Sequence, residues 1–110
     1  MRTPETDTPV PVRTPRADLH STDDALLVLM DLPGVRADDL TVRLDRGLLF
    51  IEGIERDDEG AERRRNRRAI ALQRRVDADG IEARLRDGVL TLRLPRLDAD
   101  RPRSIAVVEA

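Results

Sequence analysis

The chain has no cysteine, lysine, tryptophan or tyrosine, and one histidine. Each gap closes off a class of chemistry. Without cysteine there are no disulfides, no thiolate nucleophile and no thiolate-held zinc, and a reducing compartment, the cytoplasm, is the expected setting. Without lysine there is no Walker-type phosphate loop, whose lysine sits on the β- and γ-phosphates, so no ATP site is recognisable. Phe50 is the sole aromatic residue. A core must therefore come from Leu, Val, Ile and Ala through many small contacts rather than a few large anchors. No stretch approaches the roughly eighteen apolar residues of a membrane span, and no apolar segment near Met1 reads as an export signal. Neither a membrane partner nor a cofactor is expected.

Charge is what the chain has in abundance, and its signs balance. Asp and Glu number 22 against 20 basic residues, a net of -2, so no overall field draws the chain to nucleic acid or membrane. A length of 110 residues supports one compact domain with tails. Residues 1–17 carry Pro4, Pro9, Pro11 and Pro15 with little to bury beyond Val10 and Val12. Such a segment does not offset its ordering entropy, and a disordered arm is expected.

Beyond residue 17, period-two patterning dominates. Ile81, Ala83 and Leu85 alternate with Glu82, Arg84 and Arg86, and after Asp87-Gly88 the pattern returns with Leu90, Leu92 and Leu94 against Thr91 and Arg93. Asp-Gly makes a tight turn because glycine takes positive φ freely, and Pro95, which cannot donate to a ladder, closes the second strand. A second hairpin joins Leu40, Val42 and Leu44 through Asp45-Arg46-Gly47 to Leu48-Leu49-Phe50-Ile51, ending near Gly53. Residues 17–22 read as a short strand and Asp23-Asp24 as a turn. Residues 25–32 are apolar on both faces, as a strand inside a sandwich requires. A short helix is the rival reading, and the turn-forming pair Pro33-Gly34 decides for the strand. Residues 57–66 read as a charged loop, acidic then basic, before apolar spacing resumes at Ile70 and Leu72. Short strands and turns at this spacing, with no long helical period, predict an all-β antiparallel sandwich.

Ala83, Gly88-Val89-Leu90 and Leu94-Pro95-Arg96 together resemble the signature of the α-crystallin domain of small heat-shock proteins. Asp31-Leu32-Pro33-Gly34-Val35, Asp39-Leu40 and Ile51-Glu52-Gly53 resemble its first half, so the likeness covers residues 18–96. It implies an immunoglobulin-like sandwich in which strands 40–44 and 81–85 are edges flanking a groove, with Val42, Leu44, Ile81, Ala83 and Leu85 contributing. It also implies an ATP-independent holding chaperone, not an enzyme, that binds unfolding clients. In the extension 97–110, Ile105-Ala106-Val107 resembles the Ile-x-Ile/Val motif that follows this domain. In an extended segment Ile105 and Val107 face one side, so both can enter one apolar groove and build assemblies beyond a dimer.

The chain also departs from the family. Where the middle strand usually has an aromatic, a Leu and a Pro, it has Ile70, Leu72 and Gln73, and residues 56–68 are shorter than the loop that many members exchange between subunits. The expected homodimer therefore pairs the middle strand, near residues 67–72, about a two-fold axis. Arg64, Arg65, Arg67, Arg68, Ile70 and Leu72 are its candidate contacts, with Glu59 and Glu62 facing the arginines.

The remaining features have plainer readings. His20 has Ser21 and Asp18 nearby, but adjacent residues of a strand point to opposite faces, so no triad is assigned. Asp23-Asp24, Asp38-Asp39 and Asp57-Asp58 sit at turns, where Asp bonds its own backbone, and lack the spacing of a calcium loop. No catalytic, cofactor or metal residue is expected. Arg63-Arg64-Arg65-Asn66-Arg67-Arg68 argues for a nucleic-acid partner, since arginine clusters hold phosphates. The acidic residues just upstream and the want of an aromatic platform count against it. A co-chaperone module of the related p23-like fold is the other alternative, and it does not require the tail motif.

Overall fold

The computed structural model describes residues 9–97 and 105–109. Its strands, in chain order, are β1 (Val12–Arg13), β2 (Ala17–Ser21), β3 (Ala25–Asp31), β4 (Val35–Asp45), β5 (Leu48–Arg56), β6 (Glu62–Ala71), β7 (Glu82–Arg86) and β8 (Val89–Pro95). They form two four-stranded sheets, β1-β6-β5-β4 and β2-β3-β8-β7, packed as an all-β sandwich. A 3-10 turn, Ala78–Gly80, precedes β7. Among the described strands only β1 pairs in parallel, with β6.

Turn chemistry fixes two of the hairpins. Arg46 and Gly47 have φ of 50° and 78°, and Asp87 and Gly88 have 51° and 77°. Two successive residues at positive φ make the type I′ turn, whose twist matches that of paired strands. At Gly88 a Cβ would also stand 3.3 Å from Pro33 Cα. That close approach lets the Leu32 N–H donate to the Gly88 carbonyl at 2.7 Å, tying the end of β3 to the β7–β8 turn.

Alternation along the strands builds the core. Val28 and Met30 of β3 and Leu90, Leu92 and Leu94 of β8 pack with Leu49 and Ile51 of β5 and Ile70 of β6, joined by Leu32 from the β3–β4 connection and Val35 at the start of β4. Burying each is worth roughly 1.5–3 kcal/mol. Phe50 is outside this cluster, on the opposite face of β5, with Arg43 Cζ 4.8 Å from its ring centroid.

Several expectations change. Residues 1–8 of the arm lie outside the described residues, but 9–16 are placed. Val12 and Arg13 pair with Arg65 and Asn66, and the Pro11 carbonyl accepts from the Arg65 N–H at 2.9 Å. Proline lacks a donor yet keeps its acceptor, and the carbonyl of the buried Pro15 likewise accepts from Arg68 Nη1 at 3.2 Å. The charged loop shrinks to a turn, because Asp57 Oδ1 accepts from the N–H groups of Glu59 and Ala61 at 2.9 Å each and reverses the chain there. The arginine run then lies inside β6. Glu52 and Glu55 of β5 stand beside Arg67 and Arg64, so charges that read as a loop form a cross-strand ladder. Finally β3 is apolar on both faces but covered on one, with Val28 0% and Leu29 40% exposed. A two-layer sandwich has no third layer to cover it.

Candidate binding grooves

β4 and β7 are terminal strands of their sheets. Between them lies a groove of about 340 Å³ lined by Val42, Leu44, Ala78, Ile81 and Ala83. On β4, Val42 and Leu44 stand opposite Ile51 and Leu49 and are half-buried, while Thr41, Arg43 and Asp45 between them are exposed. On β7, Ala83 stands opposite the buried Leu92 and is itself exposed, a small side chain that leaves the groove open. Ile81 is delivered by the 3-10 turn, which Asp77 caps by accepting from the Asp79 N–H at 3.1 Å. Ala78 rides on the same turn. Sequence reasoning missed Ala78, because residues 78–80 carry no strand period and only the capping Asp77 marks the turn. Leu85, the fifth residue assigned to the groove, is not among the residues lining this space; it is half-buried opposite Leu90 and packs against the core, as Val42, Leu44 and Ile81 also do.

The described side chains lining the groove are all apolar. The structure does not bring the tail to it, since Ile105 and Val107 are 85% and 92% exposed. Val108, outside the expected motif, is as exposed as Ile105.

On β6, Arg64, Arg65, Arg67 and Arg68 are engaged within the chain. Arg65 donates from Nε and Nη2 to the two carboxylate oxygens of Glu62 at 3.0 Å each, and Arg67 Nε reaches Glu52 at 2.7 Å. Arg64 lies 3.6 Å from Glu55. Asn66, which interrupts the run, is buried and pins β6 to β5 by donating from Nδ2 to the Gly53 carbonyl at 3.2 Å. Glu62 therefore serves its own strand, and Glu59 sits in the Asp57 turn. Among the expected dimer contacts, Ile70 is committed to the core and Leu72 is half-buried beyond the end of β6. What remains open is backbone. The Arg65 N–H points away from β5 to reach Pro11, so by alternation Arg67, Ala69 and Ala71 present theirs on the same edge. No described strand covers them.

A second seam opens where β2 ends its sheet. Leu19, Leu26, Leu72 and Val76 line a cavity of about 190 Å³ together with Arg74 and Arg96. Arg96 is buried, donating from Nη2 to Ser21 Oγ at 3.2 Å and from its backbone N–H to the Asp24 carbonyl at 2.9 Å. The sequence pattern gives no hint of this seam, because its residues come from widely separated segments. His20 is exposed, and no group of residues able to hold a metal occurs among the described residues. No helix of the described residues is long and apolar enough to cross a membrane.

A family model described as Hsp20/alpha crystallin family matches residues 18–108. Heat shock protein 16 of Schizosaccharomyces pombe is 34% identical over 97 residues, covering 77% of this chain and 68% of that protein. Small heat shock protein C2 of Rickettsia felis is 27% identical over 104 residues, covering 84% and 67%. The chain thus spans about two thirds of the length of these relatives. Among solved structures, heat shock protein 16.0 from S. pombe superposes with a TM-score of 0.68 at 28% identity, covering 88% of this chain and 99% of that one. A small heat-shock protein from Xylella fastidiosa gives 0.68 at 29% identity, covering 88% and 98%.

Proposed function

The chain belongs to the Hsp20/alpha crystallin family, a family of ATP-independent chaperones rather than enzymes, and on that premise we propose that it is a holdase. It captures partly unfolded proteins on apolar surface and delays their aggregation. The observation that carries this reading is the open groove between β4 and β7, where Val42, Leu44, Ile81 and Ala83 offer apolar surface at two strand edges. An exposed edge is ordinarily an aggregation liability; here it is the working surface. Each client side chain buried there gains roughly 1.5–3 kcal/mol, so several weak contacts hold a client without selecting one sequence.

Self-association follows from the same features. A second copy pairs along the open part of β6, and Ile105 and Val107 of the tail enter the β4–β7 groove to link dimers into larger assemblies. Against a nucleic-acid role stand the ion pairs of Arg64, Arg65 and Arg67, whose charge is already answered by Glu55, Glu62 and Glu52. A p23-like co-chaperone role leaves the tail motif without a purpose. The test is light scattering from a thermally unfolding client with and without the purified chain, in the absence of ATP. Turbidity should fall with added protein; equal turbidity across several clients would refute the reading.

A further inference from the structure

The seam beside β2 is arranged to take a strand. β2 pairs with β3 on one side and with no described strand on the other. The Thr22 N–H donates to the Ala25 carbonyl at 2.8 Å, so residue 22 points toward β3, and by alternation so do His20 and Asp18. Ala17, Leu19 and Ser21 therefore present their N–H and C=O groups outward. The side chains of Leu19 and Ser21 line the adjoining cavity with Leu26, Leu72 and Val76. Leu19 is left 48% exposed there.

Charge at this seam has one sign. Arg74 and Arg96 both line the cavity, and among the described residues no acidic residue does. Arg96 is 7% exposed, and its guanidinium, which carries five donors, has the neutral Ser21 hydroxyl as its side-chain partner. The β4–β7 groove differs, since its described lining includes no charged residue.

We propose that the β2 seam is a strand-addition site for an extended apolar segment carrying a carboxylate, one chemical class of segment that an unfolding client exposes. The added segment hydrogen-bonds Ala17, Leu19 and Ser21 through its backbone. It lays alternate apolar side chains on Leu19, Leu72 and Val76, and it sets an Asp or Glu side chain against Arg74 and Arg96. Backbone pairing is indifferent to sequence, while the charge-assisted bond supplies the preference. This deepens the capture reading above and rests on it, naming a place and a substrate class.

Short labelled peptides alternating threonine with valine, with one valine replaced by glutamate or by lysine, test it by fluorescence anisotropy on the full chain. The glutamate peptide should bind about tenfold more tightly than the lysine peptide, the scale of one charge-assisted hydrogen bond. Arg74→Glu, at an exposed position, should abolish or invert that preference. Leu19→Glu should weaken the glutamate peptide by about tenfold or more, and Arg84→Glu, an equal charge reversal at an exposed position on β7 at the far end of the same sheet, should leave it unchanged. Amide exchange at Leu19 and Ser21 should slow on binding. Equal affinity for the two peptides, or protection at Val42 and Ala83 instead, would overturn the proposal. So would protection of Leu19 and Ser21 before any peptide is added that vanishes in a chain ending at Ser104, because the seam would then belong to the tail. If the chain fails to slow client aggregation yet binds the glutamate peptide at β2, the capture reading falls and the seam stands. If it slows aggregation equally well with Leu19→Glu and shows no peptide preference, the seam falls and capture stands.

Discussion

Replacing Ile105 and Val107 together with alanine separates the tail from everything else the domain does. Both side chains are almost fully exposed in the isolated chain, at 85% and 92%, so the folded domain should keep its stability to within about 0.5 kcal/mol. Docking is another matter. The two substitutions delete five carbons, and at about 0.8 kcal/mol per buried CH₂ the docked tail loses roughly 4 kcal/mol of gross interaction. That corresponds to about three orders of magnitude in a docking constant, if both side chains are fully buried. The chain between Leu97 and Ile105 spans at most about 3.3–3.6 Å per residue, close to 27 Å in all, which allows a tail to reach beyond its own domain. Multi-angle light scattering should show any assembly larger than a dimer dissolving, and NMR relaxation should show the tail more mobile. Ala83→Arg, which obstructs the groove from the other side, should mimic the effect. An unchanged mass distribution together with unchanged tail mobility would refute the groove-and-tail argument.

Other expectations come from packing and charge. Leu92 is fully buried between Val28 of β3 and Ala83 of β7, so Leu92→Ala should lower unfolding free energy by about 2–5 kcal/mol in urea titration. Gly53 sits where a Cβ would stand 3.1 Å from Val35 Cγ1. Gly53→Ala should therefore cost about 1–3 kcal/mol, and adding Val35→Ala should recover part of it, a coupling that two independent sites would not show. In solution the dominant species should be a dimer by light scattering. A discrete particle of about a dozen subunits at low micromolar concentration would contradict this.

Strand identity was legible wherever one face is wet. In β4, β7 and β8 the alternation of apolar and charged residues leaves one register for the pairing, and Val42, Leu44 and Ala83 line one groove on that pattern, joined by Ile81 from the 3-10 turn. Where neighbours on another strand decide, the linear pattern misled. Arg63 to Arg68 has no apolar period, and only the glutamates of β5 make a strand of it. The arm's short pairing was hidden for a related reason, since Pro11 and Pro15 contribute carbonyls to partners distant in sequence. Ile70 and Leu72 look alike in sequence, yet one is in the core and the other at the rim of the β2 seam. Period alone does not say where a strand stops.

Edges that accept a chain must also avoid accepting one another, and charge placement bears on this. On β7, Glu82, Arg84 and Arg86 are exposed, and on β4, Arg43 and Asp45 are. On β6 the same consideration selects a register for a second copy. Two β6 strands centred on Asn66 would set Arg65 opposite Arg67 and Arg64 opposite Arg68, like charges that destabilise a cross-strand pair. That register also collides with β1, which already pairs with Arg65 and Asn66. Centred on Ala69, Arg67 faces Ala71 and Arg68 faces Ile70, and the contact lies wholly on the uncovered stretch. In that arrangement the two copies of Ala69 form a hydrogen-bonded pair with Cα atoms about 5.5 Å apart, within the range a disulfide spans. Ala69→Cys should therefore crosslink the dimer under mild oxidation. Arg65→Cys, beside β1, should not, and efficient crosslinking at Arg65 instead would mean that the arm gives way and the charge argument fails.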